Sequence, residues 1–245
     1  MHIGIVRSAI TGAFDSPPLV IAVAHFFLIA ALIMMGGSAS GAHFNPNVTL
    51  YTFIIGHTTF TRLCAYTLSQ VLGAILGATL MRVSLGWDDV GSMAECTLAS
   101  PSKPGEAIIG NMMLFGFVLA AISGIAFDPL QGKTFGPIMA PVAIAAAIAL
   151  VIFVGISNMR PGFPLMLNWA ECVGIKVAAD QKEEGLYVAF FGPLLACFLT
   201  GASYMIAPMP SHKDTGGKYR YPLLEPLYKK DGVEPHKKTD DTSQA

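Results

Sequence analysis

Ser38-Ala-Ser-Gly-Ala-His-Phe-Asn-Pro-Asn-Val-Thr-Leu50 lies between Pro18–Ser38, an apolar run long enough to cross a bilayer, and Val48–Ile55, an apolar piece too short to cross one. As helix, Pro46–Ile55 would extend about 15 Å, roughly half of a ~30 Å hydrocarbon layer. Asn45 suits an N-cap and Pro46 the first helical position, where a missing N–H costs nothing. The stretch therefore predicts a half-helix that enters the membrane and stops at its middle. A turn at that depth must be buried in protein or line a polar cavity, because lipid cannot satisfy its free N–H and C=O groups.

The rest of the chain agrees with a membrane setting. Its 245 residues are 53% hydrophobic and only 13% charged, with mean hydropathy +0.57. A net charge of −1 and the lack of a basic block give no reason to expect nucleic acid. No nucleophile–base pair, phosphate loop or metal-ligand spacing is present, so neither an enzyme nor a metal or cofactor is expected. Cys64, Cys96, Cys172 and Cys197 follow no ligand spacing, and three lie in or beside apolar segments, which predicts buried thiols acting as small hydrophobes.

Beyond the half-helix, four further apolar segments read as spans: Leu63–Met81, Glu106–Phe127, Gly136–Ile156 and Leu186–Ile206. Arg82–Gly105 is polar and reads as an extramembrane loop, while Asp128-Pro129 ends the third span. Gly73-x-x-x-Gly77 predicts tight helix packing. The second half echoes the first: Asn168 precedes Tyr187, which opens a span carrying Gly192 and Ala196, much as Asn45 precedes Tyr66 and its span with Gly73 and Gly77. Interrupted segments at matching places in two halves point to a binding site at mid-membrane.

His43-Phe-Asn-Pro-Asn-Val-Thr-Leu50 closely resembles the first signature of the aquaporins, or major intrinsic proteins, usually Asn-Pro-Ala. The resemblance covers about Ala22 to Ile206. Tyr66–Gly77 looks like the family's third helix, Ala126–Pro129 like the end of its fourth, Gly192–Leu195 like its sixth, and Leu167-Asn-Trp-Ala-Glu-Cys-Val-Gly174 takes the place of the second signature. The resemblance implies an all-α membrane protein, an aquaporin-like inverted-repeat bundle with five transmembrane helices and two re-entrant half-helices. Residues 1–17 read as an N-terminal extension, 18–206 as the membrane domain and 207–245 as a polar tail.

By the same resemblance, Asn45, Pro46, Asn47, Asn168, Trp169 and Ala170 form the half-helix tips. His25, Ile156, Leu165 and Glu171 fall at the filter positions, and His43, Asn111 and Arg160 are candidates for bracing the loops. Several features depart from the family. No apolar segment precedes Pro18, so the family's first helix has no counterpart; Trp169 stands for a proline; Glu171 stands for the filter arginine; Asn111 stands for a membrane-embedded glutamate. Glu171 reads either as a filter residue or as an ion-pair partner of Arg160 or Lys176. Arg160 could instead restore the lost positive charge. His25 reads either as a gate or as a satisfied interior histidine, and His43 as packing the turn.

The tail mixes lysines, acids and prolines with few large apolar residues, so it cannot build a core; Tyr219, Tyr221, Leu224 and Tyr228 are its candidate anchors for a partner. Positive charges are nearly balanced between the two faces; the resemblance places the tail in the cytosol, or on the matrix or stromal side of an organelle membrane. Two functions fit. One is an accessory subunit of a larger membrane complex with an impaired pore, held among other membrane subunits or as a homo-oligomer. The alternative is a passive channel for water or small neutral solutes.

Overall fold

The computed structural model describes residues 17–85, 96–98, 103–157, 163–180 and 185–206. Among these residues, seven helices follow in chain order: α1 (Pro17–Ser40), α2 (Pro46–Ile54), α3 (Phe60–Leu85), α4 (Pro104–Ile122), α5 (Pro129–Ser157), α6 (Trp169–Ala179) and α7 (Leu186–Ile206). A π-helical turn, Ser123–Phe127, extends α4. Five of these, all but α2 and α6, are long and apolar enough to cross a membrane. Arg160 and the tail anchors Tyr219, Tyr221, Leu224 and Tyr228 lie outside the described residues.

Two boundaries move for local reasons. The helix expected to end at Met81 continues to Leu85, so Arg82 sits in the last turn of α3 rather than in a loop, where a cation complements the helix dipole. α5 contains a break at Gly136, whose φ of 64° is open to glycine, and Pro137 restarts the helix there.

α1, α2 and α3 correspond to α5, α6 and α7, and the two sets join where α1 packs along α5. Each half-helix crosses to the other half: α6 lies on α3 and α2 on α7. Glycine makes the first of these possible, since a Cβ on Gly174 would fall 2.5 Å from the Ala74 carbonyl oxygen. α4 packs along α7 through Gly192, whose Cβ would fall 3.0 Å from the Ile108 carbonyl oxygen. Tyr51, Ile55, Phe115, Leu119 and Cys197 fill the core beneath α2, and the Tyr51 hydroxyl meets that of Ser123.

Among the described residues, α4 has no counterpart in the first half. Only 6% of the apolar window of α3 is buried, against 39% in α4 and α7. The tight packing expected of Gly73 and Gly77 is not made among the described residues, because a Cβ at either would meet nothing within 4 Å. The reason is topological: the helix that would repeat α4 beside α3 is not among the described elements.

Candidate functional site

α2 and α6 meet N-terminus to N-terminus, and the asparagines that start them are shared between the two halves. Asn45 is an extended N-cap whose Oδ1 accepts from the Asn47 N–H at 2.9 Å, with Pro46 at the first helical position. Its Nδ2 donates to the Leu167 carbonyl at 2.9 Å, and Asn47 Nδ2 donates to the same oxygen at 3.1 Å. In return, Asn168 Nδ2 donates to the Phe44 carbonyl at 3.2 Å. These bonds satisfy loop carbonyls that lipid could not. The symmetry is incomplete: Asn168 makes no side-chain cap, and its buried Oδ1 has no hydrogen-bond partner.

Each loop has its own support. His43 Nδ1 lies 3.3 Å from Thr49 Oγ1, which accepts from Gln70 Nε2 at 3.1 Å, and the His43 ring stands edge-on to Tyr66. In the second loop, fully buried Asn111 donates through Nδ2 to the Pro164 carbonyl at 2.9 Å and accepts from the Met166 N–H at 2.7 Å. Leu165 is thereby held between two anchored neighbours.

A cavity of about 1200 Å³ runs beside the paired tips. Its lining follows α1 from Ile21 to Ser38 and α5 from Pro137 to Ser157, a length of about 25–30 Å at the helical rise, close to the hydrocarbon thickness. Asn45, Asn168, His25, Ile156, Leu165 and Glu171 all line it. His25 is buried, with Nδ1 2.7 Å from the Ile21 carbonyl; a carbonyl only accepts, so Nδ1 carries the hydrogen and a neutral ring turns Nε2 into an acceptor.

Trp169 sits elsewhere. It opens α6, but its ring packs edge-on against Phe190 of α7, joins the cluster around Met166 and Val188, and is not part of the cavity wall. Ala170 and Pro46 are buried. The residue that stands for the family's proline is accommodated outside the cavity.

Sequence reasoning missed a covalent tie. Cys96, of the polar loop, and Cys172 form a disulfide across 76 residues of sequence, so Cys172 is not the small hydrophobic thiol expected of it; Cys64 is exposed, and only Cys197 is a buried free thiol. No spacing motif announces such a bond. It pins the segment Cys96–Leu98, which also lies against Gly185, to the first turn of α6 beside Glu171. Closing a loop of this size is worth at most about 4.5 kcal/mol by chain entropy. Replacing both cysteines by serine is therefore expected to lower the thermal midpoint of the purified protein, and dithiothreitol should lower the wild type to the same value; equal midpoints for oxidised and reduced protein would contradict a stabilising bond.

Comparison with known proteins agrees with this geometry. The family model described as "MIP: Major intrinsic protein" matches residues 6–204. The chain belongs to the major intrinsic protein family. It is 30% identical over 212 residues to "Aquaporin TIP1-1" of Zea mays, covering 82% of this chain and 77% of that protein. It is 29% identical over 213 residues to "Probable aquaporin TIP1-1" of Oryza sativa subsp. japonica, covering 83% and 78%. With "Aquaporin-5" of Mus musculus it shares 26% over 194 residues, covering 79% and 70%. The "X-ray structure of the aquaglyceroporin from Plasmodium falciparum" superposes with a TM-score of 0.69 at 16% identity, covering 84% of this chain and 89% of that one, which establishes the shared fold. This major intrinsic protein is thus a multi-pass integral membrane protein of a channel family.

Proposed function

We propose that this major intrinsic protein is a passive channel for water or a small neutral solute. The observation that carries the reading is the membrane-length cavity with both N-cap asparagines on its wall. Each amide nitrogen has two hydrogens and spends one on the opposite loop. The second is a donor for a passing oxygen. The opposed N-termini of α2 and α6 each present about half a positive charge to the middle of the path, which disfavours cations and protons there.

His25, Ile156, Leu165 and Glu171 form the narrow end in this reading. With a glutamate where the family has a fixed cation, exclusion of cations falls to the half-helix dipoles alone. Trp169, which stands where the family has a proline, packs its ring on Phe190 outside the cavity wall, which favours a conducting path.

Stopped-flow swelling of liposomes containing the purified protein tests this. Permeability several-fold above empty vesicles is expected. Asn45→Asp should remove at least nine-tenths of the increment, because a carboxylate cannot donate to the Leu167 carbonyl and an ionisable group at mid-bilayer is costly. Folded wild-type protein that swells no faster than empty vesicles would overturn the proposal.

A further inference from the structure

We propose that the Cys96–Cys172 bond sets the width of the channel at its narrow end, and that cleavage of the bond by a dithiol admits larger neutral solutes, small polyols above all. The proposal rests on the channel reading and adds to it a redox-controlled limit on solute size. Both cysteines are buried, yet both line the cavity, together with His25, Ile156, Leu165 and Glu171. The bond is therefore part of the wall of the path rather than a distant staple.

The two sides of the bond are held differently. Cys172 belongs to α6, and its N–H closes the first turn of that helix on the Asn168 carbonyl at 3.2 Å. Cys96 lies outside the helices, with φ 64° in the left-handed region, which a residue bearing a side chain keeps only where its surroundings impose it. Among the described residues, Cys96–Leu98 makes no backbone hydrogen bond to the bundle. It is held by the sulfur bridge and by Leu98, which packs against the cluster of Met166, Ile175 and Val188. Leu98 is two residues further on, so the bridge is what keeps Cys96 itself against the path.

Thiol–disulfide exchange removes that anchor. The sulfur–sulfur bond breaks and each sulfur takes one electron and one proton, while the dithiol gives up two of each and closes to a cyclic disulfide. The two sulfurs, no longer bonded, part to van der Waals contact. α6 cannot yield, because Gly174 already meets the α3 backbone at Ala74. The displacement therefore falls on Cys96, whose backbone leaves the left-handed region as it withdraws from the cavity. Water, the smaller solute, gains little from the added width, and a polyol gains much.

Stopped-flow light scattering on liposomes of the full-length chain, first oxidised and then treated with dithiothreitol, measures the protein-dependent water and glycerol permeabilities of one preparation. Reduction should raise the glycerol-to-water ratio about threefold or more, and the thiol oxidant diamide, which takes up the two hydrogens, should restore it. Cys96→Ser with Cys172→Ser should show the high ratio from the start and no response to dithiothreitol. The wild-type cycle requires no variant, so poor folding of the double serine chain leaves the test intact, and reversal by diamide excludes unfolding as the cause. Water permeability above that of empty vesicles, with a glycerol-to-water ratio that stays the same or falls on reduction, would overturn this proposal and leave the channel reading standing. Water permeability no higher than that of empty vesicles in either redox state would overturn both.

Discussion

Gly174→Val is expected to leave little folded protein. A Cβ at this position would lie 2.5 Å from the Ala74 carbonyl oxygen and 2.6 Å from its carbon, both backbone atoms of α3. Backbone inside a helix cannot step aside as a flexible side chain would. Nor can α6 retreat, because it is fixed at its first turn by the Cys96–Cys172 bond and at its tip by the Asn168–Phe44 hydrogen bond. The change thus forces either a broken helix contact or a displaced half-helix, and a cost of about 3–5 kcal/mol, at the severe end for point substitutions, is the expected scale. Gly77→Val in the purified chain is the matched control: no atom lies within 4 Å of its Cβ, and removing a helical glycine gives a gain that valine's lower helix propensity partly cancels. Size-exclusion profiles and thermal midpoints of the two variants should differ sharply. If they coincided, the contact between α6 and α3 would not be as described.

Asn111→Leu is the second large effect. The side chains are similar in size, so the change is chemical rather than steric. It leaves the Pro164 carbonyl and the Met166 N–H without the bonds they now make at 2.9 and 2.7 Å. Both sit in a dry interior, where an unsatisfied group costs about 1–3 kcal/mol, so a loss of about 2–6 kcal/mol follows. Leu165 lies between the two released residues, so the channel reading also predicts altered permeability in any fraction that stays folded. Thermal unfolding measures the first effect and vesicle swelling the second. An unchanged midpoint would mean that the second loop is held by something other than Asn111.

Much of this architecture was legible because the membrane simplifies the problem. An apolar run either reaches across or does not, and the short run after Asn45-Pro46 could end only at mid-depth. The span Leu186–Ile206 and the start of α2 at Pro46 are sharp in sequence for the same reason. What stayed hidden depends on three-dimensional direction. Trp169 is placed at a half-helix tip by its position in the sequence, but the side chain of a first-turn residue can leave on either side of its helix, and here it leaves toward Phe190. The joining of Cys96 to Cys172 depends on a loop folding over the end of a half-helix, which no periodicity encodes. Gly73 and Gly77 signalled close packing, yet the neighbour that would explain them is absent from the described elements. A glycine spacing reports that something can approach, without saying from which chain.

The bond between Cys96 and Cys172 also gives the molecule a direction across its membrane. Protein disulfides persist where thiols are not continually reduced, so the end of the bundle at which α3 finishes and α7 begins is expected to face an extracytoplasmic or luminal space. α7 runs away from that end, so Ile206 is expected to emerge toward the reducing compartment, on the same side as the turn joining α2 to α3. Pro17, one α1 length from that turn, would then start on the oxidising side. A single sulfur–sulfur contact thus sets a testable expectation for the sidedness that an almost even distribution of lysine and arginine leaves open.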